Sequence, residues 1–271
     1  MSQNNHRPRK RFGQNFLHDK TVIQRIVKYI NPQPNDLLVE IGPGLGALTD
    51  ALIERTHPIH AIEIDNDLAA HLTQRYTPQQ LILHHSDALT FDFRSLIHGE
   101  QKIRLIGNLP YNISTPLLFH VLEQIECIQD MSFMLQKEVV QRLAAVPGTK
   151  NYGRLTVMVQ YWCRVEKWFE VGSGAFTPAP KIDSAVVHLT PHETPLVSVK
   201  DTTDFHQIVK SAFGQRRKTL ANGLKGLLTK DEISFLGIDP GKRAETLDIY
   251  AFAALSNAIT QKKFTAMTNT P

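Results

Sequence analysis

The chain has 271 residues, of which 42% are hydrophobic and 21% are charged, an ordinary composition for one large folded domain with a smaller one attached. It contains no run of about 18 apolar residues, and its basic N-terminus lacks the apolar core of a secretory signal, so we expect no membrane partner and a cytoplasmic location. Cys127 and Cys163 lack metal-like spacing and are predicted to be reduced, buried thiols.

Positive charge is concentrated at the two ends of the chain. The net charge is +4, with +4 in residues 1–20 and +3 in residues 191–271, which leaves −3 in the middle. This pattern predicts that the ends, including a basic arm at 1–18, grip a polyanion while the middle carries the chemistry. Solvated lysines and a free tail are the alternative interpretation.

Apolar strands and amphipathic helices alternate over the first 145 residues. The predicted helices are Thr21–Ile30, Ala47–Glu54, Leu68–Tyr76, one near Pro116 capped by Ser114 or Thr115, and Lys137–Ala145. The predicted strands are Leu37–Ile41, Ile59–Ile64, Leu81–Leu83, Ile103–Ile106 and Met131–Leu135. This alternation predicts an α/β fold with a parallel doubly wound sheet and ligands at the carboxyl ends of its strands.

The remainder of the chain changes character near Pro191 and Pro195. Before these prolines, a helical run after Tyr152 is followed by two predicted strands, Cys163–Val171 and Ala185–Leu189. After them come three helical stretches, Phe205–Phe213, Leu220–Leu228 and Tyr250–Ile259. We therefore predict a Rossmann-like domain over residues 1–192 and a small all-α domain over residues 193–271.

A glycine-rich loop follows the first strand of the predicted sheet. Gly42 and Gly44 let the backbone turn sharply beside a ligand, and the helix that follows offers unpaired N–H groups. The loop alone is compatible with a dinucleotide, with S-adenosylmethionine, or with no ligand. Glu40 before the glycines and Pro43 within the loop favour S-adenosylmethionine.

The sharpest chemical signal is the tetrapeptide Asn108, Leu109, Pro110 and Tyr111, which follows the fourth predicted strand. An adenine amine is a poor nucleophile, because its lone pair is delocalised into the ring. The Asn108 side-chain oxygen and the Leu109 carbonyl can accept its two hydrogens, and Tyr111 can stack on the base, worth about 1–3 kcal/mol. The tetrapeptide resembles the Asn/Asp-Pro-Pro-Tyr motif of methyltransferases that act on exocyclic amines.

Six segments together resemble the ribosomal-RNA adenine dimethyltransferases, in the same order and over roughly residues 8 to 255 of the chain. They are Arg11–Leu17, Glu40–Thr49, Asn108–Thr115, Phe133–Arg142, Phe176–Val187 and Gln215–Leu220. The resemblance is greatest to the small-subunit branch of the family. It implies a class I S-adenosylmethionine-dependent fold that dimethylates two adjacent adenosines in a hairpin loop near the 3′ end of 16S rRNA.

The resemblance also implies roles for individual residues. Glu63 would take the ribose hydroxyls of the donor, Asp87 its adenine amine, and Gly42 would approach its methionine part. Asn15 and Leu17 would close over the donor, and Asn108 would serve both binding and catalysis. Tyr111 and Phe176 would hold the target base between their rings, with no metal required.

Two further groups have simpler interpretations. His84 and His85 are predicted to lie at the rim, because the attacking amine loses its proton to water without a strong base. The RNA phosphates are expected to contact six basic residues: Arg9, Lys10, Arg11, Arg216, Arg217 and Lys218.

The expected partner is 16S rRNA within the 30S subunit or its precursor, bound by a monomer. Three alternatives stay open at this point: a 23S rRNA methyltransferase of the antibiotic-resistance type, a ribosome-assembly factor whose binding outweighs its catalysis, and an NAD-dependent enzyme.

Overall fold

The structure, a computed structural model, describes residues 14–215 and 217–268, without the side chains of 267 and 268. Its strands are β1 (Phe16–Leu17), β2 (Leu37–Ile41), β3 (Ile59–Glu63), β4 (Leu81–His85), β5 (Ile103–Asn108), β6 (Ile128–Gln136), β7 (Cys163–Val171), β8 (Phe176–Thr177) and β9 (Ser184–Pro191). Its helices are α1 (Lys20–Ile30), α2 (Ala47–Ile53), α3 (Asn66–Arg75), α4 (Ser114–Leu122), α5 (Lys137–Leu143), α6 (Arg154–Trp162), α7 (Thr202–Phe213), α8 (Leu220–Gly223), α9 (Lys230–Phe235) and α10 (Ile249–Thr268). The predicted alternation over the first 145 residues is confirmed.

Seven strands form the main sheet, in the order β4-β3-β2-β5-β6-β9-β7. The first five pair in parallel, as predicted. Strand β9 pairs antiparallel with β6, from Met131 opposite Leu189 to Gln136 opposite Ser184, so the sheet is mixed rather than wholly parallel.

The central strands are buried on both faces, which explains their continuous apolar sequence. Leu38, Val39 and Leu105 have no exposed surface, and each such side chain contributes about 1.5–3 kcal/mol through burial. Gly107 allows β5 to approach β2 at their carboxyl ends, because a Cβ there would stand 2.6 Å from the carbonyl oxygen of Ile41. That close approach fixes the position of the next residue, Asn108.

The described residues divide into two compact units. One contains the chain up to Val140 together with Arg164–Pro191, and the other contains Gln141–Cys163 together with the chain from His192 onward. The last crossing between the units, at 191/192, lies one residue from the predicted division, and residues 141–163, which the sequence assigned to the first domain, group with the C-terminal part. Within that second unit, the ring centroids of Tyr161 and Phe205 are 4.6 Å apart.

The second unit is mainly helical, and its helices differ from the predicted stretches in their bounds: α7 begins three residues earlier, at Thr202, and α10 continues nine residues further, to Thr268. The predicted helix Leu220–Leu228 ends after four residues at Gly223, and Gly226 adopts a φ of 90°. A separate helix, α9, follows. Its N-cap Thr229 accepts a hydrogen bond from the N–H of Glu232 (3.2 Å), and the Glu232 carboxylate accepts one from the N–H of Thr229 (2.6 Å). This capping box is visible in the sequence as Thr-x-x-Glu and could have marked the start.

No helix in the described part of the chain combines the length and the apolar character needed to cross a bilayer.

Two histidines on neighbouring strands predict a loss of stability in acid. His60 Nδ1 and His84 Nε2 are 3.0 Å apart, so one nitrogen must donate and the other accept. Burial, with the nearby charges of His84 and His98, lowers the pKa of His60 to about 4, and burial also lowers the pKa of His84. The unfolded chain binds these protons near the ordinary pKa of about 6.5, so acid favours unfolding.

We expect the free energy of unfolding to fall as the pH drops from about 6.5 to about 4, and to be insensitive to these two groups above that range. Urea denaturation across this pH range tests the expectation. His60→Gln should show a shallower acid dependence than the unmodified chain. An unchanged dependence would assign the acid lability to other groups.

Candidate active site

The carboxyl ends of the parallel strands meet at one edge of the sheet, beside a cavity of about 280 Å³. Nine of the ten residues predicted to act in catalysis or donor binding line it: Asn15, Leu17, Gly42, Glu63, Asp87, Asn108, Leu109, Pro110 and Tyr111. Phe176 is the exception. The strand order explains the convergence, because β3, β2 and β5 are neighbours and β4 lies next to β3.

The glycine-rich loop is held in a conformation that requires glycine. Gly42, Gly44 and Gly46 all have positive φ, at 64°, 59° and 85°, a region that L side chains rarely adopt. From the end of α3, the Tyr76 hydroxyl donates to Asp50 (2.7 Å) and the Arg75 guanidinium donates to the carbonyl of Leu45 (3.0 Å). The loop is therefore held in this conformation by contacts from α3.

Two carboxylates are oriented by the backbone at the ends of β3 and β4. Glu63 Oε1 accepts hydrogen bonds from the N–H groups of Ile64 (3.0 Å) and Asp65 (2.9 Å). Burial raises the pKa of Glu63, and these backbone hydrogen bonds oppose the increase. Asp87 Oδ1 accepts from the N–H of Leu89 (2.9 Å). These fixed acceptors fit the ribose diol and the adenine amine of S-adenosylmethionine.

The side chain of Asn108 is held by the N-terminal segment. Its Nδ2 donates to the carbonyl oxygen of Asn15 at 2.9 Å. Because Nδ2 is bonded to the Asn15 carbonyl, the Oδ1 atom is the part of the side chain that can accept a hydrogen bond from a ligand. The N–H of Leu109 donates to the carbonyl of Met134 (3.1 Å), which ties the tetrapeptide to β6.

Tyr111 is half-buried at the mouth of this arrangement. Its hydroxyl shares a hydrogen bond with the hydroxyl of Ser184, which is fully buried in β9 (2.8 Å). Burial raises the pKa of the Tyr111 phenol, so it is neutral. Helix α4 begins at Ser114 itself, whose hydroxyl donates to the carbonyl of Tyr111 (3.2 Å); the expected side-chain cap from Ser114 or Thr115 is absent at this helix start.

Phe176 is not among the residues that line the cavity. The sequence predicted a ring presented by a proline-flanked loop, whereas the ring is only 3% exposed and belongs to the hydrophobic core. The cause is pairing between β8 and β1, which sets Phe176 opposite Leu17. Stacking of this ring on a target base stays a prediction.

Four of the six predicted RNA-binding residues, Arg9, Lys10, Arg11 and Arg216, lie outside the described residues. Arg217 and Lys218 are exposed in the turn that follows α7. His84 and His85 are not among the residues that line the cavity. Within the described residues, no group of three or more His, Cys, Asp or Glu side chains could hold a metal ion.

The N-terminal segment contributes more to the cavity than sequence reasoning indicated. Gln14 donates to the Asp65 carboxylate (3.2 Å), and the Phe16 ring stands 3.1 Å from where a Cβ of Gly44 would be. Both lie in the same short motif as Asn15, which could have indicated them. Glu40 was used only to choose the donor, yet it also lines the cavity and is buried.

The cavity combines two oriented carboxylates with an Asn-Leu-Pro-Tyr turn, beside the glycine loop of a Rossmann-like sheet. This combination defines a class I S-adenosylmethionine-dependent methyltransferase. The family model for the ribosomal RNA adenine dimethylases matches residues 5–261, and the chain belongs to that family. It is therefore an rRNA adenine dimethyltransferase, and S-adenosylmethionine is its methyl donor.

Individual relatives agree with this assignment. The ribosomal RNA small subunit methyltransferase A of Nitrosococcus oceani is 57% identical, over 94% of this chain and 97% of the relative. The fold is similar to a dimethyladenosine transferase from Plasmodium falciparum (TM-score 0.76, 24% identity, 92% of this chain and 98% of that chain). It is also similar to the 23S rRNA methyltransferase ErmE (TM-score 0.68, 25% identity, 91% of this chain and 100% of that chain).

Proposed function

We propose that the chain dimethylates the exocyclic amines of two adjacent adenosines in a hairpin loop near the 3′ end of 16S rRNA. It would act as a monomer in the cytoplasm, on the 30S subunit or its precursor. The observation that carries the proposal is that Asn108 and Tyr111 line the same cavity as Glu63 and Asp87. The small-subunit name of relatives at about half identity or more favours 16S rRNA over other RNAs.

When bound, S-adenosylmethionine supplies an electrophilic methyl group on a sulfonium. We assign its ribose hydroxyls to Glu63, its adenine amine to Asp87, and its methionine part to Gly42 and its neighbours. Asn15 and Leu17 would cover the donor from the N-terminal segment. All these groups are held by backbone contacts before the ligand arrives, so positioning supplies most of the rate.

Asn108 Oδ1 and the Leu109 carbonyl would accept the two hydrogens of the target amine, which frees its lone pair for in-line attack. The proton then leaves to water. Tyr111, fixed through its hydroxyl to Ser184, would offer its ring to the base. The target adenosine leaves its stack at a cost of a few kcal/mol, least in a loop that is already single-stranded.

Substrate choice is tested with purified protein and radiolabelled S-adenosylmethionine. Under-methylated 30S subunits are offered in one reaction and protein-free 23S rRNA in another, and the nucleosides are identified after digestion. We expect dimethyladenosine from the 30S reaction alone. Label in the 23S reaction would instead favour the 23S rRNA activity of the resistance type; the structural neighbour ErmE is named a 23S rRNA methyltransferase. A catalytically inactive variant that still binds pre-30S particles would separate an assembly role from methylation.

RNA binding by the basic ends is tested by salt dependence. Arg216→Ala combined with Arg217→Ala should weaken binding to the RNA, because each lost phosphate contact reduces the number of counterions that the RNA releases on binding. The slope of log K against log salt should fall by about one for each contact. Filter binding at low and at near-physiological salt measures it, with Lys225→Ala as a comparison that removes one exposed positive charge elsewhere in the same unit. An unchanged slope would exclude these arginines as phosphate contacts.

A further inference from the structure

Glu40 is a buried carboxyl group in the wall of the donor cavity. It lies at the fourth position of β2, is only 2% exposed, and lines the cavity together with Gly42 and Asn108. Among its described contacts, the hydroxyl of the fully buried Thr49 donates to its Oε2 at 2.6 Å. No catalytic or donor-binding role assigned above uses it.

Its surroundings are predominantly acidic. Asp50 on α2 and Glu63 at the end of β3 act on it through space, and Asp87, which follows β4, lines the same cavity. Tyr76, also on this side, is neutral because burial raises its pKa. The cation in this group, Arg75, forms an ion pair with Asp50.

This environment disfavours ionisation. Burial, above all, raises the pKa of Glu40 to about 7; the Thr49 hydrogen bond opposes the increase, and Asp50 and Glu63 add to it. Without a cationic ligand, Glu40 therefore exchanges its proton near neutral pH rather than near the ordinary pKa of a carboxyl group.

The two forms of the ligand differ by one positive charge. The donor carries a sulfonium, an ammonium and a carboxylate, for a net charge of +1. After transfer the electron pair of the broken carbon–sulfur bond stays on sulfur, and the product, S-adenosylhomocysteine, is a neutral thioether with net charge zero. A buried carboxylate is stabilised by the first ligand more than by the second.

We infer that Glu40 is a proton-coupled charge sensor of the cavity: it gives up its proton when S-adenosylmethionine binds and takes one back from solvent when the thioether product remains. The inference rests on the donor and cavity assigned above. As a consequence, the cavity should prefer the donor over the product more strongly as the pH rises from below neutral to above it. Alkaline conditions should therefore relieve product inhibition.

Calorimetry measures this directly with the full chain. S-adenosylmethionine and S-adenosylhomocysteine are titrated at several pH values on either side of neutrality, in buffers of different ionisation enthalpy, which gives the number of protons released on binding. The matched variant is Glu40→Gln, which keeps the acceptor for Thr49 but cannot ionise. Subtracting its values removes protons exchanged by the ligand's own amino group, whose pKa is near neutrality.

We expect donor binding to release a measurable fraction of a proton per site near neutral pH relative to Glu40→Gln, and product binding to release much less. The ratio of product Kd to donor Kd should rise with pH, by at most about tenfold per unit. Thr49→Val removes the hydrogen bond that favours the carboxylate, so the midpoint of this dependence should move to higher pH. This shift tests the inference even if Glu40→Gln does not fold.

Equal proton release by the unmodified chain and Glu40→Gln would overturn the inference, as would a Kd ratio independent of pH or a midpoint unmoved in Thr49→Val. None of these results touches the proposed function. Failure of the unmodified chain to bind S-adenosylmethionine at any pH would instead overturn the donor assignment itself.

Discussion

Replacing Asn108 with alanine is expected to lower the rate of methyl transfer by about 10²- to 10³-fold, with a much smaller effect on donor binding. The reason is geometric. The Asn108 amide nitrogen is held by the Asn15 carbonyl at 2.9 Å, so its oxygen is oriented as an acceptor before the substrate arrives. The variant loses both the acceptor and the contact that fixes the N-terminal segment. Single-turnover methylation of under-methylated 30S subunits measures the rate of transfer, and calorimetry with S-adenosylmethionine measures binding.

Asn108→Asp is the matched control. It keeps an oxygen acceptor of the same size but replaces the Nδ2 donor with a second oxygen, which would face the Asn15 carbonyl. We expect partial activity, between the unmodified enzyme and Asn108→Ala. Turnover by Asn108→Ala equal to that of the unmodified enzyme would remove Asn108 from the reaction and leave the Leu109 carbonyl as the remaining candidate acceptor.

The second large effect, on the free energy of unfolding, is expected from replacing Arg104, a buried cation on β5. It donates to Asp130 (2.9 Å), to Asp36 (2.5 Å) and to the carbonyl of Ile30 (2.8 Å). The side chains of the two aspartates are each only 13% exposed. Arg104→Met should therefore lower the free energy of unfolding by about 3–5 kcal/mol, because it leaves two nearly buried carboxylates without their cation.

Urea denaturation at neutral pH measures the effect, with Arg94→Met as a surface comparison. Arg94 pairs with Glu126, but both side chains are at least half exposed, so its loss should cost little or nothing measurable. Combining Arg104→Met with Asp130→Asn should recover part of the loss, because one uncompensated charge is removed. A similar cost for Arg94→Met and Arg104→Met would show that burial does not govern these ion pairs.

The sequence by itself determined most of the architecture and the location of the chemistry. Continuous apolar runs such as Leu37–Ile41 identified the parallel strands, because a strand covered on both faces needs no polar residues. Since the carboxyl ends of parallel strands meet at one edge, the positions of Glu63, Asp87 and Asn108 at strand ends were enough to predict that they lie together. The tetrapeptide and the glycine loop then indicated the class of reaction.

Only the tertiary structure decided which residues close the cavity and which are withdrawn from it. Phe176 is buried because β8 pairs with β1, and the orientation of Asn108 depends on a carbonyl at Asn15, 93 residues away. Likewise, the segment 141–163 belongs with the C-terminal unit. Each depends on contacts between distant parts of the chain, whereas periodicity and local motifs report only on neighbours along it. The ionisation of Glu40 has the same origin, since it is governed by burial and by charges from α2 and β3.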